Sequence, residues 1–84
     1  MEYKELKERS NEVFFRLSQV QDRAVRDDLY IMYEVLVRLL KELDQESVNC
    51  RRLKHVTLTY QEREKKVLQQ LENLEKNLTF ASLL

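Results

Sequence analysis

The fold is decided by the stretch Leu29–Leu43, LYIMYEVLVRLLKEL, in which eleven of the fifteen residues are apolar or aromatic. Its charged residues are Glu34, Arg38, Lys41 and Glu42. A helix of this composition carries more apolar surface than the single stripe that one neighbour would cover. We therefore expect this segment to be the central helix of a bundle, covered on most of its circumference.

The composition of the whole chain agrees with a helical fold. The 84 residues contain no glycine and no proline, whereas average usage would supply roughly ten of them together. Both residue types break helices and form turns. Their absence predicts a mostly helical chain with few turns, and its 84 residues suit a single domain. Residues 78–84, which carry no charge, are expected to form an apolar C-terminal tail.

Charge and cysteine content exclude several classes of protein. Acidic and basic residues balance at fifteen each, which argues against a strongly electrostatic partner such as duplex DNA. Cys50 is the only cysteine, so no intrachain disulfide can form and a reducing compartment is indicated. The charged N-terminal residues do not resemble a signal peptide, and no apolar run approaches the roughly 20 residues of a membrane span. We expect an intracellular, cytoplasmic protein without a membrane partner, with a nuclear location left open.

The segment before the central stretch has the spacing of a coiled-coil seam. The residues at three- and four-residue intervals are Tyr3, Leu6, Ser10, Val13, Leu17, Val20 and Ala24. A new frame begins at Leu29, so the register changes near Asp27 and Asp28. Either residue would suit the start of a separate helix. We favour a continuous helix, because no breaker interrupts residues 24–26.

The helical pattern is weakest between residues 44 and 60. Residues 44–49 are polar and suit turns and caps, while residues 56–60 are β-branched or aromatic and are poor helix formers. Thr59 followed by Glu62 fits a capping box. The frame that begins at Leu29 nevertheless continues without a slip to Ala81. Three alternatives follow: a turn near residues 44–50, which the pattern favours, a turn near residues 55–60, or no turn.

Residues that could carry chemistry are few. The sole histidine, His55, lies five residues after Cys50, and on a helix these side chains point about 140° apart. The chain has no glycine for a phosphate-binding loop and no Glu-x-x-His motif for a metal pair. The sequence therefore predicts no catalytic, cofactor-binding or metal site and no enzymatic activity.

Apolar surface is the remaining functional signal. A two-helix hairpin cannot cover every apolar stripe of this chain, and large exposed stripes normally mark interfaces. We predict an all-α coiled-coil fold, either a long helical hairpin or a three-helix variant of it, that self-associates into a four-helix bundle. It would serve as an adaptor or scaffold subunit for another protein. The predicted contact residues are Tyr30, Tyr33, Val37, Phe80, Leu83 and Leu84.

A second hypothesis concerns two clusters of basic residues. The candidate patch consists of Arg51, Arg52, Lys54, Arg63, Lys65 and Lys66. Such a patch would suit a regulator associated with nucleic acid. In a chain without net charge, however, basic clusters of this size are more often solvated helix surface.

Overall fold

A computed structural model describes residues 3–83 and contains three helices in that range. They are α1 (Tyr3–Leu17), α2 (Arg23–Leu53) and α3 (Leu58–Ala81). The Cα trace measures 47 × 18 × 17 Å along its principal axes. The prediction of an all-α fold is confirmed, and of the two architectures expected, the structure is the three-helix variant.

The connection between α1 and α2 corrects two predictions. The continuous helix is wrong, because the chain leaves the helix after Leu17 and enters the next one at Arg23. The alternative, in which Asp27 or Asp28 caps the start of a separate helix, is also wrong. The cap is Asp22, whose carboxylate accepts a hydrogen bond from the Val25 amide at 3.1 Å. An aspartate at this position satisfies a free amide at the helix start.

The connection between α2 and α3 lies near the second of the alternatives. The favoured turn near residues 44–50 is wrong, because α2 continues to Leu53. Lys54 ends the helix in the left-handed conformation, with φ 61°. Thr57 then adopts extended backbone angles and its hydroxyl accepts a hydrogen bond from the Tyr60 amide at 3.0 Å. The cap of α3 is therefore Thr57, and the capping box at Thr59 is wrong.

Contacts at both ends fix the relative directions of the helices. Near the start of α1, burial raises the pKa of the Tyr3 phenol, and the neighbouring Asp44 carboxylate of α2 raises it further. Farther along, Arg9 forms an ion pair with Glu75 of α3. The residues after α1 line one cavity together with the end of α3. Helices α1 and α3 are thus parallel to each other and antiparallel to α2.

The core lies where all three helices meet. Its fully or almost fully buried apolar residues are Leu6, Val13, Leu17, Leu29, Leu36, Leu40, Leu43, Val67, Leu71, Leu74 and Leu78. Four residues of the spacing predicted for the first segment, Leu6, Ser10, Val13 and Leu17, are buried, and the Ser10 hydroxyl donates to the Leu6 carbonyl at 2.9 Å. Val20 and Ala24, of the same predicted spacing, lie outside α1. The frame that begins at Leu29 predicts that Leu39 is buried. In the structure its neighbour Leu40 is buried instead, and Leu39 is only half-buried.

The central position of α2 is confirmed only in part. The helix packs against both α1 and α3, but one of its sides faces solvent, where Ile31 is 61% and Val35 38% exposed. The prediction that this helix is covered on most of its circumference is therefore wrong. Three helices of unequal length leave this side of the longest one open.

Two regions follow from the short length of α1. The body comprises residues 3–43 and 67–83, and it contains every buried residue of the described chain. The hairpin arm comprises residues 44–66 and contains none. From Asp44 to Leu53, α2 continues for about 14 Å beyond the start of α1, and among residues 3–83 its one neighbouring helix there is α3.

Candidate protein-binding surface

An apolar groove opens between the first turns of α2 and the last turns of α3. Its volume is about 370 Å³, and the residues that line it are Val25, Asp28, Leu29, Met32, Asn77, Phe80, Ala81 and Leu83. We call it the α2–α3 groove. It lies at the end of the body opposite the hairpin arm, and it is open to solvent along its length.

The wall formed by α3 is the C-terminal segment that the sequence analysis assigned to a partner. Leu78 points into the core, whereas Phe80 is 60% and Leu83 78% exposed. Leu78 and Phe80 are two residues apart, so their side chains leave the helix about 200° from each other. The tail is therefore divided between core and surface. Leu84 lies outside the described residues.

The C-terminal tail does not pack against Tyr3 and Leu6 at the start of α1. Helices α1 and α3 run parallel, so the end of α3 lies beside the end of α1 and not beside its start. The residues near the tail are instead Arg16, in the last turn of α1, and residues of the α1–α2 connection such as Val20.

Side chains of α3 make two contacts with Met32, on the groove wall formed by α2. The Gln70 side-chain amide donates to the Met32 carbonyl oxygen at 3.0 Å. The Asn77 side-chain amide nitrogen lies 3.9 Å from the Met32 sulfur, and it also donates to the Asn73 carbonyl within α3 at 2.8 Å. The contacts with Met32 join the two helices beside the groove.

The apolar surface extends beyond the groove along α2. Ile31 follows Asp28 by three residues and Val35 follows Met32 by three, and residues at this spacing are neighbours on a helix surface. Ile31 and Val35 therefore extend the apolar face of Met32 outward. Val25, Ile31, Met32 and Val35 were not among the predicted contact residues. Their helical spacing was the available signal, but the segment Leu29–Leu43 was expected to be covered within the bundle.

The predicted contact residues on α2 lie elsewhere. Tyr30 and Tyr33 face α1, where both rings meet Phe14 at centroid distances of 6.2 and 5.1 Å. Val37, four residues after Tyr33, is half-buried on the same side. The structure thus separates these three residues from Phe80 and Leu83, and part of their surface is already covered within the chain.

The electrostatic character of the α2–α3 groove comes from a single carboxylate. Asp28 is the one charged residue among the described residues that line it, and the adjacent Asp27 is exposed. A ligand that fills the groove is therefore expected to present apolar side chains and a nearby positive charge.

The six basic residues of the second hypothesis do not form one face. Arg63 donates to Glu42 at 2.9 Å, so its charge is partly neutralised. Lys65 is two residues farther along α3 and points about 200° away from Arg63. Arg51, Arg52 and Lys54 lie together at the end of α2, in the hairpin arm.

The two residues considered for chemistry have contacts in the α2–α3 connection. The Cys50 sulfur lies 3.4 Å from the Thr57 amide nitrogen and 3.6 Å from its hydroxyl oxygen. His55 Nδ1 lies 3.0 Å from the Leu53 carbonyl oxygen. Residues 3–83 contain no group of three or more metal-ligating side chains close enough to hold an ion. Within the same range, none of the helices combines the length and apolar composition needed to cross a bilayer.

Comparison of the chain with protein-family models, with curated proteins and with solved structures gave no match.

Proposed function

We propose that the protein is an interaction module that binds an amphipathic helix of another protein in the α2–α3 groove. The observation that carries the proposal is the exposure of Phe80 and Leu83 across an open apolar groove from Met32. Exposed large side chains around a concave surface are typical of helix-in-groove recognition.

The energetics of such binding are favourable. Burying a large apolar side chain completely contributes about 1.5–3 kcal/mol, and Phe80 and Leu83 retain most of their exposed surface. The Gln70 hydrogen bond to Met32 joins the two helices without a ligand, and a preorganised surface loses less conformational entropy on binding. These two side chains would serve as the anchors of the interface.

The groove also selects the chemistry of the partner. An amphipathic helix would place apolar residues at three- and four-residue intervals along Val25, Met32 and Phe80. A lysine or arginine beside them would meet Asp28 and Asp27. We therefore propose a helix with one apolar face and basic residues at its border.

Self-association is proposed as an additional property of the fold. A pair of chains has six helices, so the predicted four-helix bundle with coiled-coil packing would be formed by the two hairpin arms, each of which has two helices. Sedimentation at micromolar concentration should give a dimer or larger species. A monomer over the whole concentration range would exclude this property without affecting the groove.

Nuclear magnetic resonance of methionine methyl groups can test the groove directly. The chain has two methionines, Met1 and Met32, so a sample labelled at the methionine methyl carbon gives two signals. A synthetic 20-residue amphipathic peptide with a leucine face and basic flanks should shift the Met32 signal in a saturable manner. Phe80→Ser and Leu83→Ser should each weaken binding about tenfold or more, as expected for anchor residues.

The control variant is Phe15→Ser, since Phe15 is 65% exposed but lies on α1. It should leave the peptide affinity unchanged. A scrambled peptide of the same composition, which has no continuous apolar face, should not shift the Met32 signal. Equal binding of the scrambled peptide, or an unchanged Met32 signal with the amphipathic one, would refute the proposal.

Point substitutions are preferable to removal of the tail. Truncation after Asn77 would delete Leu78, which is only 2% exposed and belongs to the core. A loss of stability would then be mistaken for a loss of binding. Phe80 and Leu83 can be changed without opening a cavity in the core.

A further inference from the structure

The far end of the hairpin arm exposes a cluster of aliphatic side chains. Leu53, Val56 and Leu58 are 53%, 59% and 71% exposed. Leu53 ends α2, Val56 lies in the connection and Leu58 begins α3, at the opposite end of the molecule from the α2–α3 groove. We call these three residues the apolar tip. Isolated exposed leucines are common, but three within six residues at one end of an elongated molecule form a patch.

The apolar tip is presented by a hydrogen-bonded turn. The amide of Lys54 donates to the carbonyl of Arg51 at 3.3 Å, and that of His55 to the carbonyl of Cys50 at 3.2 Å. Thr57 is held on both sides, since its amide meets the Cys50 sulfur and its hydroxyl caps α3. The connecting backbone is therefore constrained on both flanks of Val56, and the tip is preorganised.

The electrostatics around the apolar tip differ from those of the rest of the chain. Glu46 and Glu62 bracket a segment, residues 47–61, that contains no acidic residue. Its basic and imidazole side chains are Arg51, Arg52, Lys54 and His55, all of which are exposed. A chain with zero net charge thus concentrates a local excess of positive charge around three exposed aliphatic residues.

We propose that the apolar tip and its basic residues bind the surface of an anionic lipid bilayer. Leu53, Val56 and Leu58 would enter the interfacial region, while Arg51 and Arg52 contact the headgroups. The combination of a few inserted apolar side chains with a basic cluster supplies the two signals that peripheral attachment needs. The proposal departs from the expectation, drawn from the sequence, that the protein has no membrane partner.

The residue types favour lipid over nucleic acid. Proteins that bind single strands stack bases on aromatic side chains, but the apolar tip is entirely aliphatic. Tyr60, the nearest aromatic residue, is half-buried and packs against the core cluster. The tip is also a convex projection at the end of a hairpin, a shape that enters a soft bilayer surface more readily than it receives a folded ligand.

Vesicle co-sedimentation tests the proposal with the full chain. The protein should sediment with vesicles of 70% phosphatidylcholine and 30% phosphatidylserine, and much less with phosphatidylcholine alone. Replacing Leu53, Val56 and Leu58 together by serine should reduce binding at least tenfold. Replacing Arg51 and Arg52 by glutamine should reduce it by roughly fivefold for each charge removed. Higher salt should weaken the wild-type interaction.

Matched controls distinguish the tip from general surface properties. Ile31→Ser changes an equally exposed aliphatic residue outside the hairpin arm, and the pair Arg23→Gln with Lys76→Gln removes two exposed charges from the body. Neither control should alter vesicle binding. Circular dichroism should give the wild-type helical signal for every variant, because all of these side chains are exposed.

Three results would overturn the proposal. The first is failure of the wild type to bind anionic vesicles at low salt. The second is unchanged binding of the triple serine variant, which would indicate electrostatic adsorption without insertion. The third is binding of the wild type to a short DNA duplex or to an acidic peptide with equal affinity, which would assign the basic residues to anions in general.

Discussion

The body and the hairpin arm share helices α2 and α3, but only the body has a third helix to pack against. In the body, where α1 is present, the inward-facing residues of α2 and α3 lose nearly all contact with water. In the arm, which lies beyond the start of α1, none of residues 44–66 is buried. In the body, apolar burial stabilises the helices. In the hairpin arm, helix propensity, the caps and the packing of two helices must suffice. The comparison shows that regular secondary structure does not identify the stable region of this molecule.

The identity of the inward-facing residues explains the difference. In the arm, the positions that continue the apolar frame include Glu46, Thr57 and Glu64. These side chains would be costly to bury without partners. In a single chain these arm residues are therefore only half-buried, whereas Leu71 and Leu74 in the body are fully buried.

The largest expected difference in stability is between a charge placed in the body and a charge placed in the hairpin arm. Leu36→Asp should abolish the cooperative fold, because a carboxylate in a fully buried position costs more than about 4 kcal/mol, comparable with the stability of a small domain. Leu58→Asp, at a 71% exposed position in the arm, should change stability by less than about 0.5 kcal/mol. Thermal melts followed by circular dichroism compare the two. Equal destabilisation would show that the arm has a core of its own.

An intermediate effect is expected at the start of α3. Thr57→Ala should destabilise the protein by about 0.5–2 kcal/mol, because the Tyr60 amide loses its hydrogen-bond acceptor. Thr59→Ala is the matched control, since the sequence pattern alone had assigned the cap to Thr59. It should have little effect. Urea denaturation of both variants measures the difference, and a larger effect at Thr59 would contradict the cap described here.

The smallest expected effect is a gain in stability at the end of α2. Lys54→Gly should stabilise the protein by about 0.5–1 kcal/mol, because glycine adopts the left-handed conformation of Lys54 without steric strain. Lys65→Gly, within the exposed face of α3, should instead destabilise by about 1 kcal/mol. Opposite shifts in melting temperature are expected. If both variants shifted the melting temperature in the same direction, the positive φ of residue 54 would not be a source of strain in the turn.

Part of the α2–α3 groove could be predicted from the sequence. Phe80 and Leu83 follow the last charged residue, Lys76, and their exposure could be inferred from that position. Met32 and Val25 could not be assigned to the same surface, because helical spacing gives the side of α2 on which a residue lies but not the neighbour that covers it. Tyr30 and Tyr33 were assigned to the surface for the same reason, although Phe14 contacts both.

The sequence by itself determined that the protein is helical, because a chain without glycine or proline and with apolar residues at three- and four-residue intervals has few other ways to bury them. The helical spacing also determined which residues of α1 are buried, from Leu6 to Leu17. Only the tertiary structure decided where the chain turns, since residues 44–50 and 54–57 both lack strong helix signals. The position of the turn sets the lengths of α2 and α3, and these lengths decide which leucines of the two helices pack against each other. It likewise decided which apolar residues stay exposed. The short α1 covers one side of the hairpin but does not extend along the arm, so burial depends on the length of a neighbouring helix.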